Sequence, residues 1–169
     1  GFLIQGMSEE VLVRGYYMIS VAAKNSLLLA VISNSVIFAL LHILNDGIGI
    51  LPLINLALFG AFASIYALKS NSIWGVCALH SIWNFAQGNI FGIKVSGIDT
   101  QVSLFSFSLN ESGSIINGGA FGLEGGLAVS VVLVLGIIIL LTMEGRGLNY
   151  DVSNEDQNNN DQVSVSVTE

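Results

Sequence analysis

Four stretches of this chain run free of charged side chains for about the roughly 20 residues that a helix needs to cross a ~30 Å hydrocarbon layer. They are Asn25 to Asn45, Gly47 to Ser70 with Lys69 as its one interruption, Ser70 to Ile93, and Gly125 to Met143. Apolar residues make up 53% of the sequence and charged ones only 10%, which excludes an ordinary soluble domain. A fifth, shorter helix is expected over about Glu10 to Ala23, where Arg14 is the only internal charge. The fold class that follows is all-α: a polytopic transmembrane helix bundle of about five helices.

Two segments break the pattern. Between Lys94 and Glu124 the chain is rich in Gly and Ser, and reads as one long extramembrane or interfacial loop. Within it Leu104, Phe105 and Phe107 interleave with Ser103, Ser106 and Ser108, a period-two pattern that permits a short strand or an interfacial ledge. From about Glu144 the sequence turns to Asn, Asp, Gln, Ser and Val, so residues 144–169 form a polar tail expected to be disordered, after a membrane domain over 1–143. Much of the net charge of −7 falls in that tail, and no nucleic-acid partner is expected. The lone Cys77 provides neither a disulfide framework nor a zinc-knuckle spacing. The chain opens on glycine without a leader pattern, and further helices ahead of it are expected.

Short connections at Lys24-Asn25 and Lys69 to Asn71 make consecutive helices antiparallel neighbours. Asp46-Gly47 and Pro52 mark the start of the third apolar run. Alternation of five helices puts Lys24, Lys69 and Arg146 on one side and Lys94 on the other, which favours a cytoplasmic tail.

An ionisable group inside an apolar run costs about 2.5–3.5 kcal/mol even on mild insertion scales, so each one calls for a reason. The chain has few: Glu9, Glu10 and Arg14 around the first helix, His42 near the end of the second, and His80 in the fourth, accompanied by Asn84. Glu10 and Arg14 are one turn apart and can pair. Antiparallel packing of the first two helices brings Glu9 and His42 to one depth. Cys77, His80, Asn84 and Gln87 form one polar stripe, and Asn34, Ser35, Phe38 and His42 another. Facing each other, these stripes describe a hydrated cavity in which a carboxylate and an imidazole deprotonate water while a second imidazole and an amide hold an oxyanion. Taken singly, such residues are more often helix caps or interhelical hydrogen-bonding glue. Their convergence favours a site.

The order Glu9-Glu10-x-x-x-Arg14, Phe38-x-x-x-His42, His80-x-x-x-Asn84 resembles the three motifs of the CAAX prenyl protease and bacteriocin-processing family of membrane proteins, also called Abi. Gly15, the run Leu79 to Phe85 and the run Gly122 to Gly126 are also similar, and the resemblance covers about residues 5 to 143. It implies an intramembrane endopeptidase in the bacterial cell membrane that acts on a prenylated CAAX-type protein or a bacteriocin-like peptide. It implies that Glu9 and His42 activate the water, His80 and Asn84 stabilise the oxyanion, and Glu10, Arg14 and Phe38 support them. A divalent metal such as zinc is left open, with Glu9, His42 and His80 as candidate ligands, although the His-Glu-x-x-His spacing of soluble zinc proteases is absent. The expected partners are membrane lipid and a peptide or protein substrate, lipidated or not. The competing readings are a non-catalytic immunity or peptide-binding membrane protein and a small transporter subunit, the latter disfavoured by the lack of inverted halves.

Overall fold

The computed structural model describes residues 1–110 and 114–144, so the tail beyond Glu144 lies outside the described residues. Those residues form an all-helical bundle, and their only strand-like pairing is the isolated bridge between Val95 and Ile98. The helices are α1 (Phe2–Glu10), α2 (Ile19–Ala22), α3 (Leu27–Leu40), α4 (Ile50–Ser70), α5 (Trp74–Phe85), α6 (Ser114–Asn117) and α7 (Leu127–Thr142). A stretch of wider, π-type turns over Val11–Met18 joins α1 to α2 without a break, and a second over Ala86–Ile90 extends α5.

The first helix is therefore longer than the sequence reading placed it. It starts at Phe2, so Glu9 and Glu10 stand in the middle of a continuous helical rod rather than at its beginning. The apolar windows shorten in the opposite sense. Among the described residues only α4 is both long and apolar enough to cross a membrane, whereas α3 and α7 are shorter apolar helices. Local chemistry sets these limits. The Ser26 hydroxyl accepts from Leu29 N at 3.2 Å and starts α3 two residues past Lys24, while Asn71 ends α4 in the left-handed conformation, with φ 52°. Ile32, Val131, Leu135 and Ile139 are among many apolar side chains left exposed on α3 and α7, the distribution expected of helices that face lipid.

The packing order departs from the chain order. α3 packs antiparallel on α4, where Gly60 lets the backbones close up: a Cβ there would lie 2.7 Å from the Ser35 Cα. Asn34 turns to α4 as well, its Nδ2 donating to the Ser64 hydroxyl at 2.5 Å, so this member of the second polar stripe serves helix packing. α5 makes little contact with α4, its neighbour in sequence, and packs instead along α1. The expectation that consecutive helices are neighbours fails at this step because small and polar groups favour the α1–α5 seam. Ser81 Oγ donates to Leu3 O at 2.7 Å, and a Cβ on Gly6 would lie 2.8 Å from Ser81 N. α7 runs parallel to α4, with Asn55 against Ser130 near one end and Lys69 Nζ on Met143 O at the other.

Residues 103–108 of the long loop form no regular strand. Its extended stretch donates from Leu104 N, Phe105 N and Phe107 N to the carbonyls of Asn89, Ile90 and Phe91, which the end of the second wide-turn stretch leaves free.

The seam yields a prediction. Gly6→Ala must force α1 off α5 and is expected to cost about 1–3 kcal/mol, the usual range for overpacking. Gly15→Ala meets only the terminal methyl of Ile73, at 3.3 Å, and should be neutral or stabilising. Chemical denaturation in detergent of the two variants measures the difference.

Candidate active site

The sequence of α3 presents His42 through the way that helix ends. Past Leu40 the backbone tightens, with His42 N donating to Ala39 O, and the Phe38 carbonyl is free to accept from His42 Nδ1 at 2.8 Å. A carbonyl only accepts, so Nδ1 carries the proton and Nε2 is the bare nitrogen that faces the bundle. The Phe38 ring sits below both imidazoles, with centroids 4.9 Å from His42 and 6.0 Å from His80. One residue thus fixes His42 twice, by its carbonyl and by its ring.

Glu10 does the corresponding work for His80. Its Oε1 accepts from His80 Nδ1 at 2.8 Å and from Arg14 Nη1 at 3.0 Å, and both Glu10 and Arg14 are fully buried. The Arg14 guanidinium also lies over the Phe38 ring, 4.3 Å from its centroid, which favours a cation in a place without water. Glu10 Oε2 and two Arg14 nitrogens are buried with no hydrogen-bond partner among the described residues, so the pair is held by few contacts for its charge.

Glu9 occupies the space between the two imidazoles. Gln5, one turn earlier, donates from Nε2 to Glu9 Oε1 at 2.9 Å and leaves Oε2 unpartnered. That oxygen is 4.0 Å from His42 Nε2 and 3.9 Å from His80 Nε2. Each distance is too long for a direct bond and suits a small molecule bonded to all three. The structure therefore brings together Glu9, Glu10, Arg14, Phe38, His42 and His80. Asn84 lies one turn beyond His80, buried, with a carboxamide that bonds nothing among the described residues. Among the described residues no group of three or more His, Cys, Asp or Glu side chains is arranged to hold a metal ion as it stands.

The imidazoles open into a cavity of about 820 Å³ between α4, α5 and α7. His42, His80, Asn55, Ser96, Asn117 and Glu124 are its polar lining, and the rest is apolar. Asn55, Ser96, Asn117 and Glu124 were missed in the sequence. Asn55 donates from Nδ2 to Glu124 O and Gly126 O and accepts from the Ser130 hydroxyl at 2.6 Å, fastening α4 to the start of α7. The Glu124 carboxylate accepts from Trp83 Nε1 at 3.1 Å and from the backbone and hydroxyl of Ser96 at 2.7 and 2.5 Å. Burial pushes the Glu124 carboxyl above the usual carboxylate range, partly offset by these donors. Ser96 stands at φ 47° in a two-residue turn with Gly97 at φ 82°, and its carbonyl accepts from Asn45, three residues after His42. The available signal was Asn55 itself, a lone carboxamide inside an apolar run.

The family model described as Type II CAAX prenyl endopeptidase Rce1-like matches residues 1–86, just over half of the 169 residues, and the chain belongs to this family of membrane-embedded endopeptidases. The matched stretch holds all three motifs, whereas Glu124 and α7 lie beyond it. No curated protein and no solved structure matches the chain.

Removing one partner of a buried charge pair strands the other, typically at a cost of about 3–5 kcal/mol. Arg14→Met is expected to lose that much stability, and Glu10→Gln combined with it to recover at least about 1 kcal/mol through coupling. A double-mutant cycle on detergent-purified protein measures this; strict additivity would show that the two charges do not depend on each other.

Proposed function

We propose that the chain cleaves a peptide bond near the end of a lipid-modified polypeptide, using a water activated by Glu9 and His42. The observation that carries this reading is the free Glu9 oxygen, equally far from the Nε2 nitrogens of two imidazoles whose rings line a largely apolar cavity. A water in that position donates one hydrogen bond to Glu9 Oε2 and a second to the bare His42 Nε2. As its oxygen attacks the scissile carbonyl, Glu9 takes the proton and later passes it to the leaving amine. Negative charge develops on the carbonyl oxygen, and the groups available to meet it are His80 Nε2, when that ring carries both protons, and the Asn84 amide. Glu10 and Arg14 touch no substrate in this scheme. They orient His80 and keep its charge balanced where water is scarce.

The apolar length of the cavity supports a lipid chain as the second thing recognised, and the family description names prenylated CAAX substrates. A bacteriocin-like peptide without a lipid would leave most of that wall without a function. No step in the scheme runs through a metal.

Glu9→Gln and His42→Ala are each expected to lower cleavage of a prenylated C-terminal peptide by about 10²–10⁴-fold without altering the unfolding midpoint. Cleavage within tenfold of wild type in both would overturn the assignment, and protection or binding that survives Glu9→Gln would favour the non-catalytic immunity or peptide-binding reading. Exhaustive chelation followed by elemental analysis is expected to leave full activity in metal-free protein; loss of activity restored by zinc would reinstate the ligand set of Glu9, His42 and His80.

A further inference from the structure

The apolar part of the catalytic cavity has an end as well as a mouth. Along α4 its wall runs from Asn55 to Phe62, and along α7 from Ala128 to Gly136. Both walls stop at the same contact, because one edge of the Phe62 ring meets Gly136: a Cβ on that glycine would sit 2.9 Å from the ring. At 1.5 Å per residue this contact lies about 10 Å along α4 from Asn55. Phe62 is itself backed by Tyr66, with ring centroids 6.4 Å apart, and the Tyr66 ring fills the space over Gly75 at the start of α5. Two aromatic rings from α4, each against a glycine of a flanking helix, thus stand at the lower end of the cleft.

We infer that Phe62, seated on Gly136, is the specificity-determining floor of the cavity and sets how long an isoprenoid chain the enzyme accepts. The inference rests on the lipid-modified substrate proposed above. Glycine at 136 admits the ring, and any larger residue there drives the ring up into the cavity and shortens it. A smaller residue at 62 removes the ring and lengthens the cavity toward Tyr66. Neither residue touches the imidazoles or Glu9, so a change at the floor alters which chain fits and leaves the chemistry of bond cleavage in place.

The experiment uses the full chain in detergent and three peptides of one sequence carrying geranyl, farnesyl or geranylgeranyl thioethers, with the unlipidated peptide as reference. Gly136→Leu is expected to lower kcat/KM for the longest accepted chain by about tenfold or more relative to the next shorter one, and Phe62→Ala to raise the longest chain relative to the others by a similar factor. Each rate is divided by the same variant's rate on the unlipidated peptide, so that a general change in activity cancels. If Gly136→Leu does not fold, Gly136→Ala and Phe62→Leu apply the same displacement in smaller steps. A wild type that prefers lipidated peptides, with a length preference unchanged in every variant, overturns the floor alone. A wild type that cleaves all four peptides equally overturns the lipid reading and the floor together.

Discussion

One carboxylate, Glu10, bears on more of this structure than any other group. It is wholly buried, and within the helical bundle it is matched by a guanidinium one turn away and by an imidazole from a helix seventy residues later. An unpaired charge at such a place is costly, so α1 and α5 are obliged to meet at one register. That register is what sets His80 beside Glu9. The same requirement explains why α5 leaves α4, its partner in sequence, for α1: the energy of a satisfied buried charge outweighs the convenience of a short connection.

Close approach makes the pairing possible. Side chains as short as a carboxylate and an imidazole bridge two helices only when the backbones nearly touch, and Gly6 against Ser81 provides that approach one turn before Glu10. In lipid there is no hydrophobic gain from helix association, so small residues and interhelical hydrogen bonds do this work. The α3–α4 seam repeats the solution with Gly60, Ser35, Asn34 and Ser64. Phe38 then joins the two seams, its ring touching Arg14 and both imidazoles.

The parts of the site carried by short-range spacing were legible in the sequence. Glu10 with Arg14, Phe38 with His42 and His80 with Asn84 are each one helical turn apart, and turn spacing follows from the helix itself. The apolar windows gave the helical class, but they overran the helices because Asn25, Ser26 and the residues after Leu40 are uncharged yet belong to caps and turns. What depends on long-range partners was not legible. Glu124 read as part of a Gly-rich run until Trp83 and Ser96 were seen to converge on it, and Asn55 acquires meaning only from the carbonyls of a loop some seventy residues away. The start of the first helix was missed for a similar reason: Glu9 and Glu10 look like boundary residues, and only the meeting of Glu10 with α5 and the placing of Glu9 between His42 and His80 makes them interior ones.

The wide turns over Val11–Met18 lie directly after the Glu9-Glu10 pair. Each residue added to or taken from a helix rotates everything beyond it by about 100° relative to what came before. Such a stretch stores an extra residue of slack, and losing that residue would swing α2 and its contacts with α3 away from the face that Glu9 and Glu10 present. Hydropathy is blind to this, since any apolar residue serves equally well in lipid. Inheritance in this segment should therefore be strict in number and lax in kind, with side chains free to drift among aliphatic types while insertions and deletions are purged.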